Sequence, residues 1–422
     1  MKFEEMKLKP EIFRALTELG FTEATEIQEK TIPAIENGKD IVGQSQTGSG
    51  KTAAFGIPIL SHVVNGQGLQ AIILTPTREL CVQVNDAIRS FAKYTGTRTV
   101  CVYGGVGIDP QIQGLRKAEI VVGTPGRIQD HMERRTIDLS KIRFFVLDEA
   151  DKMLEMGFVD DVKNILRYIP KNKQSLLFSA TMPTPIKNII REHFKNPIII
   201  QGQVKVDRSL LKQVYYNIKP EQKFSLLLQL LKTNKGISLV FCATRHEVDA
   251  VERNLSMNGI KAKAIHGGMG QGSRLNVVED LKRESINVLV ATDVAARGLD
   301  IRNITHVYNY DLPRSSEDYT HRIGRTARAG ESGDAVTLLT HPDYGNFQNI
   351  LSDRTIRVEK AELPEFPNIR FERASRQSHQ GRNFTNHSGG RPHSSSGGGF
   401  RGRSSGGGGG RARSGGFGSG RR

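Results

Sequence analysis

Short, β-rich apolar runs alternate with helical patterns along this chain, and the series occurs twice. The first series holds "AIILTP", "EIVVGTP", "IRFFVLDEAD", "QSLLFSAT" and "NPIIIQ". After "GQVKVDRS" it restarts with "QVYYNI", "ISLVFCAT", "KAKAIHG", "INVLVATD", "ITHVYNY" and "DAVTLLT". A strand that is apolar at consecutive positions must be covered on both faces. Such strands belong in mainly parallel sheets flanked by helices. The pattern predicts an α/β fold with two domains, 1–203 and 211–362, joined near 202–210 by a polar, charged segment. No short-period repeat is visible.

The character changes after about residue 365. "GGRPHSSSGGGFRGRSSGGGGGRARSGGFGSGRR" has almost no aliphatic residue and cannot bury enough surface to offset chain entropy. Residues 363–422 are therefore expected to be a disordered Arg/Gly/Ser-rich tail. The chain's formal net charge is +16. From Phe371 to Arg422 there are ten arginines, no lysine and one acid (Glu372), a net of +9 that leaves +7 on the first 370 residues. That balance favours a polyanionic partner. Phe384, Phe400 and Phe417, set among arginines, suit stacking on single-stranded nucleic acid; the alternative is a passive solubility tail.

The three cysteines, Cys81, Cys101 and Cys242, form no C-x-x-C pair, so neither a zinc site nor a disulfide framework is indicated. The N-terminus lacks an apolar signal-like segment, and no run of about 18 apolar residues occurs. A soluble, cytoplasmic protein with no membrane association is expected.

Two stretches carry chemistry. "SQTGSGKT", Ser45 to Thr52, lies between an apolar run and a helical segment. It reads either as a plain turn or as a phosphate cradle. In the cradle, glycines let Gln46, Thr47, Gly48, Ser49 and Gly50 turn backbone N–H groups toward an anion. The following helix adds its positive end. Lys51 would reach the β- and γ-phosphates of ATP, and the Thr52 hydroxyl would face Mg2+. Ser45 stands where the strict pattern has its first glycine. The second stretch is "FFVLDEAD". An apolar strand delivers Asp148 and Glu149 to a sheet edge, where ligands of open α/β sheets sit. Asp148 there is placed to hold Mg2+, directly or through water, and Glu149 to orient or deprotonate an attacking water.

With these two, the chain resembles the DEAD-box RNA helicases over almost all of residues 1–340. The family's motifs occur in the family's order: Gln28 in "TEIQ", "SQTGSGKT", "PTREL", Gly104-Gly105, "TPGR", "DEAD", "SAT", "LVFCATR", "HGGMGQGSR", "ATDVAARGLD" and "HRIGRTARAG". Departures are Ala24 and Glu26 where prolines are usual, Gly268 for an aspartate and Ala327 for a glycine. The resemblance implies two tandem RecA-like domains that close on ATP and RNA. It assigns Gln28 and Phe3 to the adenine, Asp300 to the ribose, and Arg325, Arg328 and His321 to the γ-phosphate side. A guanidinium suits charge developing on phosphoryl oxygens.

The RNA path implied by the other motifs uses backbone amides at Gly105 and Gly126 and the hydroxyls of Thr124 and Thr292. Arg78, Arg127 and Arg274 add charge. Such contacts grip phosphates without reading bases. Ser179 and Thr181 are expected to connect the nucleotide site to the closed state. The expected activity is ATP-dependent local unwinding of short RNA duplexes, with ribonucleoprotein or ribosome-assembly partners. An RNA-dependent ATPase that clamps without unwinding, and an RNA chaperone acting through its tail, remain alternatives at this level.

Overall fold

The computed structural model describes residues 1–45, 49–201, 210–296, 301, 303–327 and 332–373. Residues 202–209 of the expected linker 202–210, and the tail beyond 373 with Phe384, Phe400 and Phe417, lie outside the described residues. Each apolar series forms a seven-stranded sheet. The first holds β1 (Ile41–Gln44), β2 (Ala71–Leu74), β3 (Thr99–Val102), β4 (Ile120–Gly123), β5 (Phe144–Asp148), β6 (Gln174–Ser179) and β7 (Ile198–Gln201). Their order is β3-β4-β2-β5-β6-β1-β7. The second holds β8 (Leu211–Asn217), β9 (Ile237–Phe241), β10 (Ala262–Ile265), β11 (Val288–Ala291), β12 (Ile304–Asn309), β13 (Gly333–Leu339) and β14 (Glu359–Lys360). Their order is β10-β11-β9-β12-β13-β8-β14. Every pairing within the two sheets is parallel.

The consecutive apolar residues are explained by cover on both faces. Ile73 and Val146 enter one core of the first sheet, whereas Ile72, Leu74, Phe145 and Leu147 enter the other. The second sheet divides its strands likewise, with Val240 and Val290 on one side and Leu239 and Leu289 on the other. The chain up to Ala374 forms one compact unit holding both sheets. No helix among the described residues is long and apolar enough to cross a membrane. The cysteines are free, yet Cys81 and Cys101 pack with their sulfurs 2.8 Å apart. Hydrogen bonding to Cys81, together with burial, holds the Cys101 thiol far above its ordinary range.

The expected end of the second domain at 362 is too early. Phe366, Ile369 and Phe371 pack on the second domain's core. Phe371 lies 5.2 Å from Phe224, ring centre to ring centre. Ser225 takes the backbone N–H of Ile369 at 2.9 Å, and Asn254 takes that of Glu372 at 2.9 Å. Composition placed the boundary where aliphatic residues thin out. Three spaced apolar side chains suffice to dock this segment as a strap.

Candidate nucleotide and RNA site

Parallel strands bring the ends of β1, β5 and β6 to one edge of the first sheet, and the motifs sit there. Gly50 has φ +90°, a left-handed conformation that suits glycine. A Cβ at Gly50 would collide with the Gln28 amide. The Gln28 Nε2 donates to the Gly50 carbonyl at 3.1 Å, and its Oε1 accepts the Thr25 N–H at 2.9 Å. Thr25 Oγ1 donates to the Ser49 carbonyl at 2.8 Å. Ser49 Oγ lies 3.1 Å from Ser45 Oγ, so the serine in the first glycine's place helps close the loop. Lys51 is buried at the start of the Lys51–His62 helix, its Nζ 3.3 Å from the Ser45 carbonyl, with Thr52 half-buried beside it. Gln46, Thr47 and Gly48 lie outside the described residues.

Gln28 is expected to pair its amide with adenine. Here both ends of that amide join the helix start at Thr25 to the phosphate loop. Phe3 was expected to offer a face to the base. It is 1% exposed and packs edge-on against Phe21, so in this structure it is a core residue.

Asp148 ends β5 fully buried, and its Oδ1 has no hydrogen-bond partner among the described residues. Burial pushes its pKa up to about 6; Lys51 opposes the rise, while Glu149 adds to it. Glu149 has φ 54° and ψ 52°, a strained backbone for a side-chain-bearing residue. Burial alone would raise the Glu149 carboxyl, but Lys152 and Lys51 outweigh it and hold the group below its ordinary value. The Lys152 ammonium is 2.7 Å from Glu149 Oε2, and burial lowers its own pKa. An unpartnered, buried carboxylate oxygen fits a hard cation. Among the described residues no group of three or more His, Cys, Asp or Glu could hold a metal.

The sequence reading missed Asp151. Its Oδ2 accepts the N–H of Ala180 (3.1 Å), the N–H of Thr181 (2.9 Å) and the Thr181 hydroxyl (3.2 Å). Ser179 Oγ accepts the Asp151 N–H at 3.0 Å. Ser179 and Thr181 thus tie the end of β6 to the helix carrying the acidic motif. The only sequence signal was the second aspartate of "DEAD".

The second domain supplies the other wall. His321 and Arg325 line a small cavity together with Lys51, Glu149, Asp151 and Lys152. A larger cleft of about 960 Å³ continues between Ser45, Asp151 and Thr181 on one side and Ser316, Thr320 and His321 on the other. Arg322, also missed, is buried in the second domain. It forks onto Asp293 at 2.6 and 2.7 Å, donates to Asn309 at 3.1 Å, and lies over the Phe241 ring. It braces the segment from which His321 and Arg325 project. Arg328 and Asp300 lie outside the described residues.

The expected RNA residues separate into two groups. Arg78 lies against Gly104 and Gly105, and Gly105 has φ +82°, where a Cβ would strike the guanidinium. Gly126 is exposed with open space around it, and Thr292 is half-buried at the start of the Asp293–Ala296 helix. Thr124 is buried at the cap of the Pro125–Glu133 helix, so its hydroxyl is less open than expected. Arg127 is already engaged, with Asp130 (2.9 Å), Gln111 (3.3 Å) and the Val106 carbonyl (2.8 Å). It is a strut for the glycine loop rather than a free charge. Arg274 pairs with Glu79 of "PTREL" at 3.2 Å across the two domains, so in this structure its charge is answered within the protein.

The DEAD/DEAH box helicase family matches residues 25–189, and the helicase conserved C-terminal domain matches residues 222–330. An ATP-dependent RNA helicase CshA of Listeria monocytogenes is 47% identical over 348 residues, 82% of this chain and 67% of that protein. A DEAD-box ATP-dependent RNA helicase CshA of Geobacillus kaustophilus is 44% identical, over 82% of this chain and 75% of that protein. Among solved structures, Saccharomyces cerevisiae Dbp5 bound to RNA and ADP-BeF3 is 31% identical with a TM-score of 0.76, covering 85% of this chain and 95% of that one.

Proposed function

The chain belongs to the DEAD-box helicase family and is an ATP-dependent RNA helicase; from that premise we propose how its residues divide the work. The observation that carries the reading is the shared cavity, in which His321 and Arg325 of one domain face Lys51 and Glu149 of the other. Lys51 orients the β- and γ-phosphates of ATP, and Glu149 receives a proton from the attacking water. Arg325 answers charge that develops on the transferred phosphoryl oxygens. Asp148 and Thr52 would hold Mg2+, whose charge offsets that of the phosphates. The Asp151–Thr181 bonds report the state of the nucleotide site to the domain interface. RNA crosses both domains past Arg78, Gly105, Gly126 and Thr292. Arg328 and Asp300 complete the γ-phosphate and ribose contacts. We take the domains as 1–203 and 211–362, the second extended to 373 by the strap, and the arginine-rich tail adds a further hold on RNA. We place the protein in the cytoplasm, acting on RNA in ribonucleoprotein or ribosome assembly.

Lys51→Ala removes the charge that orients the phosphates. Steady-state phosphate release at saturating RNA should fall to background. Near wild-type turnover would overturn the assignment of the site. Strand displacement on a short duplex, run beside it, separates unwinding from RNA-dependent clamping.

A further inference from the structure

The opposite edge of the first sheet carries a different chemistry. Its strands are all parallel, so their starting ends share one edge, away from Lys51 and Glu149. Several segments meet there around Asp40. This buried carboxylate accepts the backbone N–H of Ser175 at 2.9 Å and of Lys195 at 2.7 Å. The Gln174 side chain donates to the Lys39 carbonyl at 2.7 Å, and its backbone N–H to the Arg143 carbonyl at 2.8 Å. Lys39, Arg143, Lys173 and Lys195 are therefore held at the starts of β1, β5, β6 and β7. These four strands are neighbours, in the order β5-β6-β1-β7. At about 4.8 Å per strand they span roughly 14 Å. Arg167, at the end of the Val159–Tyr168 helix, and Lys171, on the turn leading into β6, extend the row.

All six side chains are exposed or half-exposed, and none forms an ion pair with a carboxylate among the described residues. Some cations elsewhere on the same domain are answered, Lys30 by Glu26, Lys93 by Glu18 and Arg127 by Asp130, while others such as Lys117 and Lys141 pair with no carboxylate among the described residues; what sets this edge apart is how many are gathered along it. Asp40, the acid at the centre, gives both oxygens to backbone donors. Arg167 sits in the last turn of its helix, where a cation suits the helix dipole. That accounts for one arginine and for none of the lysines. Like charges crowd here: burial lowers the Lys173 pKa, Asp40 opposes this, and Lys195 lowers it further. Beside Arg167 stands Tyr168, 70% exposed, an unusually open position for an aromatic ring.

We propose that this edge is a second RNA-binding surface, gripping phosphates of a single strand with its lysines and stacking one base on Tyr168, outside the cleft between the domains. Arg143 bonds to the His62 carbonyl at 3.2 Å and Arg167 to Asn164 at 3.1 Å, whereas the four lysines pair with no carboxylate among the described residues; a row of cations beside an open aromatic ring is the chemistry that holds single-stranded nucleic acid without reading sequence. An acidic protein would answer the lysines but gives no role to an isolated ring. The proposal rests on the reading of the protein as an RNA helicase.

The test uses the full chain with an unstructured RNA oligonucleotide, titrated at several salt concentrations, beside RNA-stimulated ATPase. In a triple variant, Lys39→Gln, Lys171→Gln and Lys195→Gln, affinity near 0.1 M salt should fall about tenfold or more, and the slope of log K against log salt should shrink by about two units. The ATPase rate at saturating RNA should stay at the wild-type value. Restoring charge with Lys39→Arg, Lys171→Arg and Lys195→Arg should restore the slope. Tyr168→Ala should weaken binding roughly tenfold with the slope unchanged, since stacking releases no counterions. A wild-type affinity and slope in the glutamine variant would overturn the proposal and leave the edge to a protein partner or to solubility. A fall in the RNA-saturated rate would overturn it too, because the surface would then belong to the catalytic cleft. Failure of the underlying reading looks different: the wild-type protein itself would show no RNA stimulation.

Discussion

Glu79 and Arg274 meet across the two domains, with the guanidinium Nε 3.2 Å from the carboxylate. Gln271 donates to the same Glu79 oxygen at 2.8 Å. Glu79 belongs to the Arg78–Phe91 helix of the first domain, whereas Gln271 and Arg274 open the Gln271–Lys282 helix of the second. Both ends of the ion pair are largely buried, so this is a latch and not a chance surface contact.

Removing either partner leaves the charge of the other buried and uncompensated, although Gln271 still donates to Glu79. Glu79→Gln and Arg274→Gln should each raise the RNA concentration for half-maximal ATPase by about tenfold, and the double variant should lose much less than the two single losses combined. A double-mutant cycle should return about 1–3 kcal/mol of coupling. The cycle also decides between two roles for Arg274. A phosphate-binding arginine would take about 0.7 off the salt slope when removed. A latch arginine leaves the slope where it was, and that is the expected result. Additive losses with a shallower slope would return Arg274 to the RNA path.

The sequence reading succeeded where a property belongs to a local pattern. The parallel sheets follow from consecutive apolar residues such as Ala71 to Leu74, and the position of Asp148 and Glu149 follows from the strand that ends in them. It says nothing where a property depends on what lies opposite. Nothing near Arg127 in sequence announces that the Val106 carbonyl will meet it, and nothing near Arg274 announces Glu79. For Phe3 and Gln28 likewise, the partners Phe21, Thr25 and Gly50 are chosen by how the first helices fold back on the sheet. Asp151 and Arg322 were passed over because their work is to hold neighbours, and a strut leaves no mark in a motif beyond its presence.

The two adjacent carboxylates should respond to neutralisation with opposite signs. Asp148 has its folded pKa raised to about 6, from an ordinary value of 3.8. At neutral pH it is nevertheless ionised, and the ionised form bears the burial penalty. Asp148→Asn removes that penalty and should stabilise the nucleotide-free protein, by roughly 1–3 kcal/mol on the scale of 1.36 kcal/mol per pKa unit. Glu149 is held below its ordinary value and answers Lys152 at 2.7 Å. Glu149→Gln leaves that ammonium buried without its partner and should destabilise the nucleotide-free protein, by up to about 3–5 kcal/mol. Both variants should stop hydrolysis, but Glu149→Gln should still bind ATP and remain closed on RNA. Thermal melts without nucleotide, followed by nucleotide-binding titrations, check each sign. Equal melting shifts for the two would mean that Lys152 is not the partner that matters.

The strap divides the C-terminal region into a part that folds and a part that binds, and two truncations separate them. Ending the chain after Arg373 removes nine arginines and no acid, yet keeps Phe366, Ile369 and Phe371 in the second domain's core. Its melting temperature should match the full chain. If about four of those arginines engage phosphate at once, the salt slope for RNA should shrink by about three units. The RNA-saturated ATPase rate should hold, because every proposed nucleotide contact lies earlier in the chain. Ending after Glu362 removes the same charge and also the strap. Ser225 and Asn254, both buried, then lose the backbone of Ile369 and Glu372 that they hold. Each lost hydrogen bond costs about 0.5–1.5 kcal/mol, and the uncovered Phe224 face adds to that. The shorter chain should therefore melt well below the longer one while sharing its shallow salt slope. Equal melting temperatures would mean that the strap adheres without stabilising. A steep slope in either truncation would mean that the tail does not hold RNA.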